Sequence, residues 1–164
     1  MDLVLDPPRG VAPVRLGMTL DETVAALSVW GKPRVLSRPN QTLVNIGISL
    51  DRVRFQVLLE KVNCVTAIQL WWPGEGRESS TRVLLEGDDV FCTPARKIFR
   101  RAVARGWTVD QSEFDYPFIP GVSIGFTRQT AQEVPRYSDG SLMYLTSVLV
   151  GDEKYFDFHY KNND

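Results

Sequence analysis

One histidine, His159, is available for acid–base or nucleophilic chemistry, because the sequence contains no other. Residues 155–160 alternate as a strand would, which predicts that Tyr155, Asp157 and His159 share one face. A carboxylate beside an imidazole is the arrangement that orients a general base. The sequence has no Gly-x-Ser-x-Gly nucleophile turn, however, and segments near chain ends are often mobile. We therefore expect a surface histidine and no catalytic residue.

The acidic residues that could hold a metal ion or act as paired carboxylates fall in predicted turns. These groups are Glu86/Asp88/Asp89, Asp110/Glu113/Asp115 and Asp152/Glu153. None has the ligand spacing of a calcium-binding loop, and the glycines form no phosphate-binding motif. We expect solvated turn residues, with no metal and no cofactor. A hydrolytic carboxylate pair depends on geometry and stays open.

Two cysteines, Cys64 and Cys92, are too few and too far apart for a metal-ligand pattern or a disulfide framework. We expect two small reduced thiols, as is usual in a reducing compartment. Pairing of the two residues is the alternative.

A predicted second helix over residues 94–105 carries five cations and no acid. The cations are Arg96, Lys97, Arg100, Arg101 and Arg105. Like charges four residues apart destabilise a helix by roughly a few tenths of a kcal/mol, so the cluster needs an explanation. Compensation by acids at 86–89 and 110–115 is one, and a docking face for an acidic protein partner is the other. The net charge of −1 disfavours nucleic acid.

Two aromatic stretches could supply the anchors of a protein interface, in which Trp, Tyr and Arg dominate the binding energy. Trp71 and Trp72 are adjacent at the end of a predicted strand, so their side chains point to opposite faces. Tyr116 and Phe118 lie in the proline-stiffened loop 114–121. Ordinary packing is the alternative for both stretches.

The composition is that of a globular protein, with 164 residues, 43% of them hydrophobic. We expect a single domain over 1–164, with two sub-halves, 1–73 and 81–164, joined by the polar turn 74–80 as a finer division. No stretch approaches the length of about 18 apolar residues that spans a membrane, and the N-terminus does not resemble a secretory signal. These features predict a cytoplasmic protein without a membrane partner.

The elements that would position these residues begin with residues 14–33. A short strand there leads to Thr19, a good helix N-cap, and Glu22 follows at the spacing of a capping box. Leu20, Val24, Leu27 and Trp30 then recur at helical spacing until Gly31 and Pro33 end the helix.

Strand patterns follow at 42–49, 53–60 and 65–72, with connections short enough for antiparallel hairpins. The second helix has Thr93 as its predicted N-cap and an apolar stripe of Ile98, Phe99, Ala102 and Val103. Later strand patterns lie at 107–109, 122–127, 142–150 and 155–160. The predicted class is α+β, with antiparallel sheets packed by two main helices. Two similar β-α-β-β halves are a further possibility.

The Val-Arg-Leu-Gly-Met-Thr segment of residues 14–33, with its later Gly-x-Pro, resembles the helix-start motif of two groups. They are the small outer-membrane assembly lipoproteins and the β-lactamase-inhibitor protein group. The chain departs from both, since it lacks the lipid-attachment cysteine of the first and the paired cysteines of the second.

A broader resemblance, to small actinobacterial α+β proteins, rests on Gly-Met-Thr, on Asp-Val-Phe-x-Thr-Pro-Ala at 89–95 and on Ser-Val-Leu-Val-Gly and Tyr-Phe-Asp within 147–157. It implies the fold class and brings no activity or site residues. By analogy, small proteins of this kind often serve as immunity proteins or interaction modules.

Together these observations predict a non-enzymatic protein-binding module, such as an immunity or inhibitor protein that neutralises a toxin or enzyme. The expected contacts are Lys97, Arg100, Arg101, Arg105, Trp71, Trp72, Tyr116 and Phe118. The alternatives are a small hydrolase or ligand-binding domain that uses carboxylates in a pocket between sheet and helices, and a structural or oligomer-forming domain.

Overall fold

The computed structural model describes residues 1–60, 63–128 and 134–155, which form two helices and twelve strands. The helices are α1 (Leu20–Leu27) and α2 (Ala95–Ala104). The strands, in chain order, are β1 (Asp2–Asp6), β2 (Gly10–Val11), β3 (Val14–Arg15), β4 (Arg34–Ser37), β5 (Val44–Leu50), β6 (Val53–Glu60), β7 (Cys64–Trp71), β8 (Arg82–Leu85), β9 (Asp88–Asp89), β10 (Phe118–Ile119), β11 (Ile124–Thr127) and β12 (Ser147–Gly151).

The larger sheet has seven strands in the order β10-β11-β12-β7-β6-β5-β4, and every pair is antiparallel. Its centre is the hairpin series β5-β6-β7, in which Val57 lies opposite Ile46 on one side and Ile68 on the other. The strand patterns at 42–49, 53–60 and 65–72 are confirmed. Alternation in β6 is regular, with Val53, Phe55, Val57 and Leu59 all buried.

The smaller sheet has five strands in the order β3-β2-β1-β8-β9, and only β1 and β8 run parallel. Leu3 of β1 lies opposite Val83 of β8, and both are buried. Both residues belong to the same hydrophobic cluster as the buried side of β6 and of α2, so the two sheets share one core. The α+β class with antiparallel-rich sheets and two helices is therefore confirmed.

Helix α1 forms as its sequence predicts. The Thr19 hydroxyl accepts a hydrogen bond from the Glu22 backbone N–H, and the Glu22 carboxylate accepts one from the Thr19 N–H at 2.8 Å. Leu27 is fully buried, and Leu20, Val24 and Trp30 pack against the core in part. A 3-10 turn over Ser28–Trp30 then ends at Gly31, whose φ of 140° lies where a side chain would be strained.

Helix α2 differs from its prediction at both its start and its apolar stripe. The N-cap is Pro94, with no side-chain cap, so the prediction that Thr93 caps the helix is wrong. The preceding turn is closed instead by the Asp89 carboxylate, which accepts hydrogen bonds from two backbone N–H groups. Val103 is 59% exposed, because it follows the buried Ala102 by one residue and therefore points about 100° away.

The later strand predictions are confirmed only in part. Residues 107–109 form no strand, 122–127 divide into a 3-10 turn and β11, and 142–150 narrow to β12. The pattern at 155–160 lies outside the described residues except for Tyr155. Strand β8 pairs with β1 in the smaller sheet, and β12 pairs with β7 in the larger sheet. Each sheet therefore contains strands from before and after residues 74–80. The division into sub-halves stays a prediction.

Candidate functional site

The cations of helix α2 are mostly engaged in ion pairs within the molecule. Arg101 pairs with Asp88, Arg105 pairs with Glu86, and Arg96 reaches the carboxylate of Asp139 at 2.8 Å. The acids at 86–89 therefore supply two of the predicted compensating charges. Asp139 supplies a third, which no sequence pattern indicated.

Lys97 and Arg100 are the two α2 cations that form no ion pair within the described part of the chain, and both are exposed. Two of the paired arginines also lie over aromatic rings, at 3.9 Å from the Tyr137 centroid for Arg96 and 5.7 Å from that of Trp107 for Arg105. Such contacts hold a guanidinium group in place. The predicted cationic docking face of α2 is thus reduced to two unpaired charges.

Both tryptophans predicted as anchors are half-buried and have partners inside the molecule. The indole N–H of Trp71 donates to the Gln56 side-chain oxygen at 3.2 Å. Trp72 packs against the core, and the Arg77 guanidinium lies 5.0 Å from its ring and 4.0 Å from that of Tyr144. These contacts are those of ordinary packing.

The loop 114–121 exposes a different set of aromatic residues from the pair predicted as anchors. Phe114 is 54% exposed and Tyr116 is 50% exposed. Phe118, in contrast, is 4% exposed because it forms β10 and pairs with β11. A buried Phe118 leaves almost no surface for a partner to contact.

A cavity of about 420 Å³ lies between this loop and the large sheet, whereas the alternative ligand-binding interpretation places its pocket between sheet and helices. At its floor the buried Ser147 hydroxyl accepts a hydrogen bond from the Gln69 side chain and donates one to Thr127 Oγ1 at 2.8 Å. Glu113 is the one acidic residue among its described lining residues. Asp157 and His159 lie outside the described residues, so the carboxylate site stays a prediction.

A larger cleft, of about 680 Å³, lies at the opposite end of the same sheet beside β4. Three cations, Lys32, Arg34 and Arg54, line it together with polar side chains of β5, and none of its described lining residues is acidic. We call it the cationic cleft.

The two arginines of the cationic cleft lie on one face of β4, β5 and β6. Arg34 lies opposite Gly47, which in turn lies opposite Gln56. Gln56 and Arg54 are two residues apart on β6, so they share one face of the sheet. Both arginines therefore project from the outer face of the sheet, the face opposite the one that buries Phe55. Gly47 has no side chain, which leaves space between them.

The charges of the cationic cleft are not neutralised by the described residues. Lys32, Arg34 and Arg54 form no ion pair and no side-chain hydrogen bond in residues 1–60, 63–128 and 134–155. Clustered charges of one sign in a recess attract counter-charged groups and raise their local concentration. An acidic group is therefore the ligand chemistry that the cleft favours.

Strand β4, which forms one wall of this cleft, is the open edge of the large sheet. All four of its residues are exposed, including Val35 at 45% and Leu36 at 59%. Val29, in the 3-10 turn that follows α1, is 75% exposed. The other three sheet edges in the described residues are two-residue strands, β3, β9 and β10.

The cysteines are both free thiols, with Cys64 half-buried and Cys92 exposed, so the alternative of a disulfide between them is not realised. Partial desolvation of the thiol, together with the nearby Asp89 carboxylate, raises the pKa of Cys92. No group of three or more potential metal ligands occurs among the residues that the structure describes. No helix among them is long and apolar enough to cross a membrane.

The fold and the two recesses define an α+β protein with a cationic cleft at an open sheet edge. No model of a known protein family matches this chain, and the searches of curated proteins and of solved structures returned no match.

Proposed function

We propose that the protein is a binding module that takes an acidic segment of a protein partner into the cationic cleft. The observation that carries this proposal is the convergence of Lys32, Arg34 and Arg54 on one recess that has no acid among its described lining residues. Maintaining three like charges close together costs free energy, which an acidic ligand offsets on binding.

The surface around the cationic cleft supports a protein as the partner. The exposed Leu36 lines the cleft together with the cations, and the exposed Val35 lies between Arg34 and Leu36 on β4. A mixture of apolar contacts with arginine is typical of protein interfaces. Nucleic acid fits less well, because its binding depends on many phosphate contacts and the chain has a net charge of −1.

Helix α2 supports the proposal less well than its sequence predicts. Three of its five cations already bind acids, so a partner would have to displace those pairs to use them. Lys97 and Arg100 remain available for steering an acidic partner. The proposed binding residues therefore shift from α2 to the cleft, with the two α2 cations in a secondary role.

Neutralisation of a toxin or enzyme is the specific form of binding that we propose for this module. An acidic segment of the target bound in the cleft would be held by charge-assisted hydrogen bonds, which are stronger than neutral ones. The neighbouring gene tests this form of the proposal. A toxin-like reading frame whose product binds the purified protein is the expected result, and a neighbour whose product does not bind would contradict it.

The binding proposal is tested with two fluorescein-labelled peptides, decaglutamate and decaglutamine, by fluorescence anisotropy at low salt. We expect decaglutamate to bind and decaglutamine not to bind. The double change Arg34→Glu with Arg54→Glu should weaken decaglutamate binding by about tenfold or more, since charged hydrogen bonds are lost. Equal binding of both peptides, or unchanged binding by the variant, would contradict the proposal.

A further inference from the structure

We infer that the acidic segment binds as an extended strand added to the free edge of β4, an inference that rests on the proposed function. It specifies the shape of the ligand and the pattern of its side chains, which the cationic cleft alone does not. Edge strands present a row of backbone N–H and C=O groups to any extended chain that can approach them.

The geometry of β4 suits such an addition. One side of the strand pairs with β5 over four residues, from Arg34 opposite Gly47 to Ser37 opposite Val44. The other side has no strand beside it in the described residues, and all four β4 residues are exposed. The remaining edges in the described part of the chain are only two residues long, too short to hold a strand of useful length.

The two faces of β4 predict an alternating pattern for the ligand. The outer face carries Arg34 and, two residues on, the exposed Leu36, and Arg54 lies on this face as well. Val35 lies on the opposite face, the face of Ile46. Residues of an added strand alternate between the same two faces. The ligand should therefore carry acidic side chains on the outer face, beside Arg34, and apolar side chains on the face of Val35.

Charge decides between an acidic partner and a second copy of this chain as the occupant. Pairing of two β4 edges would bring the cations of one cationic cleft next to those of the other along one sheet. Like charges on neighbouring strands destabilise the pairing. The same cations discourage self-association, which is a known use of edge charges, and attract an acidic strand.

The alternating pattern of the ligand is tested with two octapeptides that have the same composition and different residue orders. The alternating peptide consists of four Glu-Val repeats, and the block peptide has four glutamates followed by four valines; both are capped at their ends and labelled with fluorescein. We expect the alternating peptide to bind about tenfold more tightly, because the block peptide cannot place acidic and apolar side chains on separate faces while hydrogen-bonding to β4. Equal affinities would overturn the strand inference.

Backbone pairing is tested with two N-methylated forms of the alternating peptide. One carries the methyl groups on every Glu amide and the other on every Val amide. In an added strand one set of N–H groups points to β4 and the other to solvent, so one form should lose about tenfold in affinity relative to the other. Equal affinities of the two forms would overturn strand addition.

The Arg34→Glu, Arg54→Glu variant separates failure of this inference from failure of the proposed function. If block and alternating peptides bind equally and both lose affinity for the variant, the cationic cleft binds acids without strand addition. If neither peptide distinguishes the variant from the original chain, the proposed function itself fails.

Discussion

Helix α2 and the cationic cleft both concentrate positive charge, and they differ in what surrounds it. On α2, Arg96, Arg101 and Arg105 bind three nearby acids. In the cleft, Arg34 and Arg54 have no acidic partner in the described residues. A cluster of cations along the sequence therefore identifies a charged segment, whereas a cluster of unneutralised cations in space identifies a candidate binding site.

The difference between the two regions does not lie in how strongly the α2 ion pairs stabilise the fold. Ion pairs between exposed side chains contribute about 0–1 kcal/mol each to stability. Their effect on recognition is larger, because a paired cation contributes little to the field that attracts an acidic ligand. The two regions therefore differ in surface potential more than in their contribution to the stability of the fold.

The largest expected effect concerns the core that lies beneath both regions. Phe55 lies under the cationic cleft, with its ring 5.6 Å from that of Trp30, and Phe99 fixes α2, with its ring 5.6 Å from that of Phe126. Truncation of either to alanine should lower the free energy of unfolding by about 3–5 kcal/mol. Denaturant unfolding measures both variants, and a loss below about 1 kcal/mol would contradict the shared core.

The next effect compares the starts of the two helices. Thr19→Ala should cost about 1 kcal/mol of stability, because it removes the side-chain cap of α1. Thr93→Ala should change stability by less than about 0.5 kcal/mol, because Thr93 is not the cap of α2. Chemical denaturation of the two single variants checks this, and equal losses would contradict the observed boundary of α2.

A smaller effect concerns the Arg101–Asp88 ion pair on α2. A double-mutant cycle with Arg101→Met and Asp88→Asn should give a coupling free energy of about 0.2–1 kcal/mol that falls as salt is added. The same cycle on Arg34 and Arg54 should give no favourable coupling, since the two like charges repel. A stabilising coupling between those arginines would contradict the account of the cleft.

The smallest effect is a pH dependence at the start of α2. Hydrogen bonds from Ser141, with the Arg96 guanidinium nearby, lower the pKa of Asp139 to about 2. A lowered pKa stabilises the fold above the ordinary pKa of about 4, and this stabilisation is lost as the pH falls through about 2. The unfolding midpoints of the original chain and of Asp139→Asn should therefore differ at about pH 6 and converge near about pH 2. A constant difference would contradict this.

The elements that sequence reasoning predicted are those whose signals are local. The capping box of α1 and the alternation of β6 each lie within a few residues, and the structure confirms both. Strand β4 escaped prediction because all four of its residues are exposed, so it has no apolar alternation. Strand β1 pairs with β8, a segment about half the chain away, and no local pattern reports such a partner.

The candidate site was missed for a related reason. Lys32 and Arg34 are separated from Arg54 in the sequence by β5, and only the register of three antiparallel strands brings them to one cleft. The one available signal is the alternation of β6, in which Arg54 lies between the apolar Val53 and Phe55. The α2 cations were easy to find because they are close together in the sequence, although most of them are neutralised.

The central claim, that the cleft rather than α2 binds acidic ligands, is tested most directly by two charge reversals of equal size. One variant is Arg34→Glu with Arg54→Glu, and the other is Lys97→Glu with Arg100→Glu, which changes the net charge equally. Binding of labelled decaglutamate should fall by about tenfold or more in the first and by less than about threefold in the second. Equal losses, or a larger loss in the α2 variant, would contradict the claim.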